Sequence, residues 1–189
     1  MQTCSINGAG LLLRTRSKKK RLFKPTRAAM DIEELAGELP DDGTSYRMLS
    51  VEGGFCSLSL ILWVASKVKI NELTVSSLRI GEKHIKRLDE LYRNGRLGKA
   101  RFIVAQMIGE MRSERKSTAV LMDITFHNGW QLKHLNNHSK ILLMDTDQGK
   151  YVVETSSNLN QNPKIEQYTM ERSSELYDWY YGFFTGDER

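Results

Sequence analysis

The chain has 189 residues, of which 40% are hydrophobic and 8% aromatic, which is enough for one folded domain around a single core. Its apolar runs all stay below the roughly 18 residues of a membrane helix, so the sequence argues against a membrane-spanning protein. The formal net charge is +5, and this charge is unevenly distributed along the chain.

The N-terminus and the cysteines indicate a cytoplasmic protein. The apolar residues Leu11, Leu12 and Leu13 precede the basic residues, which is the reverse of the order in a secretory signal. Cys4 and Cys56 lack the spacing of a metal site and are predicted to be reduced thiols rather than a disulfide. No group of Asp, Glu, His and Cys has convincing metal spacing, so we expect neither a metal nor a cofactor.

All of the net positive charge lies in the first 30 residues. They contain eight Lys and Arg and no acidic residue, so they carry +8, while residues 31–189 carry −3. Residues 1–45 are therefore predicted to be a basic, disordered arm and lead-in, with a folded domain over residues 46–189. The segment from Arg14 to Arg27 suits contacts with phosphates. It also suits a solubilising tail, or sequence upstream of a true start at Met30.

From residue 46 onwards, the apolar pattern alternates between strand and helix. Strands are predicted over residues 46–51, 70–80 and 100–107, and helices over 55–68, 85–92, 117–127 and 165–184. Residues 55–68 are apolar nearly all round, so the pattern also fits a buried strand, but we favour a helix with Ser57 as its N-cap. The order predicts a sheet flanked by helices. The last helix is assigned the core residues Tyr168, Leu176, Trp179, Tyr180 and Phe183.

A β-hairpin is predicted between residues 138 and 156. The apolar run Ile141–Met144 ends at turn formers, and a second run, rich in β-branched and aromatic residues, follows over Tyr151–Ser156. Side chains alternate across a strand, so His138 and Lys140 share one face. His138, as a base or nucleophile, and Lys140, as a fixed cation, can then meet the polar side chains that follow the second strand. Such a group of side chains at one strand end is suited to binding a phosphate.

The spacing of these residues resembles the HKD signature of the phospholipase D superfamily. His138-x-Lys140-x4-Asp145 is followed by Ser156-x-Asn158. The superfamily normally has Gly where Thr155 stands here, a difference that concerns backbone shape more than chemistry. An acidic residue often closes the signature, and Glu166 is the candidate. The bland interpretation is that His138 and Lys140 are ordinary polar residues at a strand end.

The resemblance implies a phospholipase D-like α/β fold, with a mixed sheet flanked by helices and one HKD half-unit per chain. Because this chain has one motif, it resembles the single-motif, Nuc-like endonucleases, in which two chains pair to build one site. By that resemblance His138 forms a phosphohistidine, while Lys140, Ser156 and Asn158 bind phosphate oxygens. Asp145 is included with His138 and Lys140 by its motif position, as a supporting residue. Strand parity places it on the face opposite His138, where it would act structurally or on the partner chain. Glu166 would orient an imidazole.

Three functions therefore compete. The first is a metal-independent nuclease or other phosphodiesterase acting as a homodimer. The second is a catalytically weak nucleic-acid-binding module on the same fold, and the third is a lipid phosphodiesterase. The basic arm favours the first two, and the lack of an amphipathic membrane-facing stretch argues against the third. The sequence does not distinguish DNA from RNA.

Overall fold

The structure is a computed structural model that describes residues 10–16, 32–105 and 115–186, with the backbone alone for residues 10–16. These residues form eight strands and five helices: β1 (Gly10–Arg16), α1 (Ile32–Ala36), β2 (Thr44–Ser50), α2 (Ser57–Lys67), β3 (Ile70–Ser77), α3 (Glu82–Arg93), β4 (Leu97–Ala105), α4 (Arg115–His127), β5 (Gln131–Leu135), β6 (Ile141–Thr146), β7 (Gly149–Thr155), β8 (Glu166–Arg172) and α5 (Ser174–Thr185).

The strands form one mixed sheet in the order β1-β2-β8-β7-β6-β3-β4-β5. Strands β3, β4 and β5 run parallel to one another, and the crossovers between them are α3 and α4. All other neighbours are antiparallel, including β6 against β3. The predicted α/β fold with a mixed sheet flanked by helices is confirmed.

Strand β6 shows how the sheet separates two cores. Leu142 and Met144 point into the larger core, to which α1 to α4 contribute. Ile141 and Leu143 point to the opposite face, which α5 covers with Tyr177 and Phe184. Both faces of the strand are thus buried, which explains why its sequence is an unbroken apolar run rather than an alternating one.

The last predicted helix is wrong in its first half. Residues Glu166–Arg172 form β8, which lies in the middle of the sheet between β2 and β7. Tyr168 and Met170 are buried two residues apart, the period of a strand. Helix α5 begins only at Ser174, where the Ser173 hydroxyl accepts a hydrogen bond from the Leu176 N–H at 3.2 Å and caps the helix.

The core stripe assigned to that helix is wrong for Trp179 and Phe183, whereas Tyr168 is buried and Leu176 and Tyr180 pack against a core. Trp179 and Phe183 are 57% and 65% exposed, whereas Tyr177 and Phe184 are the buried residues of α5. Tyr180 is half-buried. The helix carries aromatic residues on more than one side, so its apolar spacing alone could not identify the side that faces the sheet.

The folded unit begins before residue 46. Strand β1 pairs with β2 along its length, and Ile32 and Leu35 of α1 are buried in the larger core. The prediction of a disordered arm from Arg14 onwards is therefore wrong for residues 14–16, which belong to β1, while residues 17–31 lie outside the described residues. The reason is local: the Leu11–Leu13 run supplies an apolar strand that can extend the sheet edge.

Smaller differences concern element ends. The N-cap of α2 is Cys56 rather than Ser57, and residues 131–135 form a separate edge strand, β5, before the segment that carries His138. Cys56 is a free thiol, whereas Cys4 lies outside the described residues. Among the described helices, none combines the length and the apolar character needed to cross a bilayer.

Candidate functional site

The predicted site residues lie at one edge of the sheet, here called the site edge. The carboxyl ends of β3 and β4 meet there with the start of β6, the end of β7 and the start of β8. The strand register brings them together, because Ser76 of β3 pairs with Ile141 of β6, and Thr155 of β7 pairs with Tyr168 of β8. Ligands of open α/β sheets bind at the carboxyl ends of the parallel strands.

His138 and Lys140 lie side by side, just before β6. The Lys140 Nζ is 3.3 Å from the His138 Nδ1 and donates to the His138 carbonyl oxygen at 2.6 Å. His138 is exposed and Lys140 is half-buried. Burial lowers the pKa of Lys140, and the negative charge of Glu166 partly opposes this shift. The lysine therefore contacts the His138 imidazole and is near enough to Glu166 for their charges to interact.

Glu166 is buried, and both of its carboxylate oxygens are hydrogen-bonded. The Ser156 hydroxyl donates to Oε2, and the Asn162 side-chain amide donates to Oε1 at 2.6 Å. The Gln167 N–H donates in turn to the Ser156 Oγ at 3.1 Å. The carboxylate is thus held in one orientation beside Lys140. In this arrangement the Ser156 hydroxyl bonds to Glu166, so it can turn to a phosphate only by giving up that bond.

Asn158 is oriented by a buried serine of β3. The Ser77 Oγ is 3.4 Å from the Asn158 Oδ1, donates to the Arg79 carbonyl at 2.7 Å and accepts from the Leu159 N–H at 3.0 Å. Because the amide oxygen of Asn158 is directed to Ser77, its NH₂ group is the part that can donate to an anion. The loop after β7 is thereby fastened to the end of β3.

Asp145 is not brought to this site. It lies at the other end of β6, opposite Glu72 of β3 and Lys150 of β7, seven residues from His138, or on the order of 20 Å along an extended chain. Burial raises the pKa of Tyr177 in α5, and the charges of Glu72 and Asp145 raise it further. Asp145 therefore faces α5, on the side of the sheet opposite to Lys140.

A second polar cluster lies behind the loop after β7. The Cys56 Sγ is 3.5 Å from the Nε2 of His84, which is 7% exposed, and burial lowers the pKa of this imidazole. Both side chains line a cavity of about 280 Å³ that also reaches Gln161. In the described part of the chain, no three His, Cys, Asp or Glu side chains are placed to hold a metal ion.

Sequence reasoning missed the residues that hold the site in place. Asn162 precedes a proline and Asn137 precedes His138, and Asn commonly marks turns at such positions. That signal could have identified both residues as turn formers, but not their partners. Ser77 carries no signal, because a serine that ends a strand is common.

Comparisons with known proteins identify the fold. No protein-family model matches the sequence, and no curated protein does. Among solved structures, the phospholipase D family member Nuc from Salmonella typhimurium superposes with a TM-score of 0.54 at 16% identity, over 73% of this chain and 89% of Nuc.

Two larger proteins contain the same arrangement. The polyphosphate kinase of Porphyromonas gingivalis matches with a TM-score of 0.59 at 14% identity, over 88% of this chain and 28% of the kinase. The phosphatidylserine synthase of Haemophilus influenzae matches with a TM-score of 0.51 at 13% identity, over 76% and 38%. This chain spans well under half of either protein. The mixed sheet and the superposition on Nuc together show that this chain has the fold of that phospholipase D family member.

Proposed function

We propose that this protein is a phosphodiesterase that hydrolyses nucleic-acid phosphodiester bonds through a covalent phosphohistidine on His138. The observation that carries the proposal is the exposed imidazole of His138 with the Lys140 ammonium 3.3 Å from its Nδ1, next to the fixed carboxylate of Glu166. A phosphodiester resists attack because its oxygens are negative. A cation beside the nucleophile lowers that barrier.

The reaction takes two displacements. In the first, the lone pair of the His138 Nε2 attacks phosphorus, the bond to the leaving oxygen breaks, and a second imidazole gives that oxygen a proton. In the second, this now neutral imidazole takes a proton from water, the hydroxide attacks phosphorus, and the P–N bond breaks to regenerate His138. The Lys140 ammonium neutralises charge on the non-bridging oxygens, the Asn158 amide donates hydrogen bonds to them, and the Ser156 hydroxyl can donate as well when it turns from Glu166.

The contact between Lys140 and Nδ1 has a consequence for the nucleophile. An ammonium that donates to Nδ1 requires a lone pair there, which in a neutral ring places the proton on Nε2. Attack by Nε2 requires the opposite tautomer. A substrate phosphate competes for Lys140 and releases Nδ1, which can then carry the ring proton. Substrate binding would thus prepare the imidazole for attack.

The second imidazole is proposed to come from a second copy of the chain. His84 is buried behind the loop after β7, and His127 ends α4. His134 is exposed on edge strand β5, with β4 and β3 between it and β6, so none of the three is placed beside Lys140 as His138 is. A two-fold dimer brings two copies of one surface together, and two site edges would then supply two copies of His138.

Nucleic acid is the proposed substrate because the N-terminal sequence carries the positive charge. The chain has +8 in its first 30 residues and −3 in the rest, which suits a polyanion better than a neutral lipid surface. The second candidate function is a nucleic-acid-binding module that turns over weakly. The bond between Ser156 and Glu166 favours it, because it keeps one proposed phosphate donor occupied.

The first prediction concerns the catalytic pair. His138→Ala removes the nucleophile, and Lys140→Ala removes the cation beside the phosphate, so each should lower the hydrolysis rate of a labelled oligonucleotide by roughly a hundredfold or more. Lys133→Ala, on edge strand β5, is the matched control and should keep the wild-type rate. Activity should persist in EDTA, because the nucleophile is an imidazole. The pH profile should be bell-shaped, since one imidazole must be neutral and the other protonated. A wild-type rate in His138→Ala contradicts the mechanism.

The second prediction concerns the dimer. Co-refolding wild-type chains with an equal amount of His138→Ala chains should leave about half of the wild-type chains in mixed dimers, which hold one catalytic histidine. Activity per wild-type chain should therefore fall by about half, whereas independent monomers would keep it unchanged. Light scattering at the assay concentration should report two chains per particle. Full activity in the mixture would show that one chain suffices.

The third prediction concerns the basic segment. Deletion of residues 1–29 would also remove β1, so the sharper change replaces Lys18, Lys19, Lys20 and Arg21 by Gln. If these residues contact phosphates, affinity for duplex DNA should drop and the slope of log K against log salt should become shallower by roughly 0.9 for each lost contact. A control that neutralises Lys69 and Lys99, which are exposed at the opposite end of the sheet, should leave the slope unchanged. If log K depends on log salt with the same slope in both variants, the basic segment does not contact the nucleic acid.

A further inference from the structure

The segment that carries His138 has no ladder of its own. Residues 137–140 connect β5 to β6 without regular structure, and His138 is exposed on this segment. The segment's backbone bond to a strand is at Lys140, whose carbonyl accepts from the Thr155 N–H at 3.1 Å. A nucleophile on such a segment would move, and misplacement by about 1 Å can cost a hundredfold in rate. The site therefore needs something that fixes the backbone at His138.

Asn137 supplies four hydrogen bonds around that backbone. Its Oδ1 accepts from the Ser139 N–H at 2.9 Å and from the Ser139 hydroxyl at 2.7 Å. Its Nδ2 donates to the Ile103 carbonyl and to the Ser76 Oγ, both at 3.0 Å. The first bond closes an Asx turn with His138 as its central residue, so the side chain of Asn137 limits the backbone angles of His138.

The donors and acceptors close into a ring. The Ser139 hydroxyl donates to Asn137, the Asn137 amide donates to Ser76, and the Ser76 hydroxyl is left to donate to the Ser139 Oγ, 2.5 Å away. Each of the three side chains is thus both donor and acceptor within the ring. Such a network favours one arrangement, because any other leaves a buried polar group unpaired.

The ring is anchored to the rigid part of the molecule. Ser76 is 1% exposed near the end of β3, and Ile103 is fully buried in β4. Asn137 and Ser139 turn towards these strands, while the Lys140 Nζ, with the His138 ring beside it, lies near Glu166. Two parallel strands therefore hold the odd-numbered residues of the segment, and the two reactive even-numbered residues are presented at the site edge.

We infer that Asn137 is a positioning residue, which fixes the His138 backbone to β3 and β4 through a closed hydrogen-bond ring with Ser76 and Ser139. The inference rests on the proposed function, because it assigns His138 as the nucleophile. Asn137 does not touch the substrate. Its loss should therefore lower kcat and leave KM nearly unchanged, since the phosphate is bound by other residues.

The experiment compares three variants. Asn137→Ala removes the whole ring and should lower kcat by roughly 10-fold to 100-fold with KM within about twofold. Ser139→Ala keeps the N–H of the Asx turn and should lose less, and Ser139→Thr keeps the hydroxyl as well and should restore nearly wild-type kcat. Asn128→Ala is the matched control, because it removes another half-buried Asn whose amide bonds to Asp89 far from the site. It should keep the wild-type kcat.

A second measurement does not depend on activity. Hydrogen exchange should find the Ser139 amide protected in the wild-type protein and exposed in Asn137→Ala, with greater mobility of the His138 amide in ¹⁵N relaxation. If the wild-type protein hydrolyses nothing, the proposed function fails, and these measurements alone decide whether Asn137 positions the segment. If Asn137→Ala does not fold, Ser139→Ala and its Thr counterpart take its place. An unchanged kcat in the folded variants, or an unprotected Ser139 amide in the wild type, overturns the inference.

Discussion

The antiparallel pairing of β6 with β3 is the constraint on which the rest of the site depends. It places Ser76 opposite Ile141, and the chain that enters β6 must therefore pass the ends of both β3 and β4. A slip by one residue would exchange the two faces of β6. The apolar side chains at 141–144, which alternate between two cores, oppose that slip, because side chains of different shape would then enter each core. The packing of apolar side chains on both faces of β6 thus sets the positions of the polar residues at the site edge, which themselves make few apolar contacts.

Electrostatics at this edge follow from burial of a carboxylate. A buried Glu166 is costly unless its oxygens are hydrogen-bonded, and Ser156 and Asn162 supply those bonds. The remaining negative charge acts on Lys140, whose own burial works in the opposite direction on its pKa. The negative charge of Glu166 therefore offsets part of the desolvation of Lys140, and a phosphate that enters the edge meets an ammonium that is already partly desolvated.

The same logic applies to the loops that carry the site. Asn137, Ser77 and Asn162 each turn an amide or hydroxyl inwards and fasten a loop to a strand end. None of these side chains contributes apolar burial. Their effect is to limit the conformations of loop segments that are not paired with a strand. The conformational entropy of these loops is therefore lost when the chain folds rather than when a substrate binds.

The sequence by itself predicted most of the local elements and the residues that are proposed to carry the chemistry. The hairpin of β6 and β7, the helices at α2, α3 and α4 and the pairing of His138 with Lys140 follow from residue types and spacing, because period and turn chemistry are local properties. The motif position identifies Glu166, which the apolar pattern places in a helix but which instead begins β8. The tertiary structure alone decided what depends on partners distant in the chain. Glu166–Arg172 became a central strand because β2 and β7 leave a gap there, and Trp179 stayed exposed because α5 can bury one side only. Asp145 keeps its motif spacing but lies at the far end of β6, since an extended strand places residues seven positions apart on the order of 20 Å from each other.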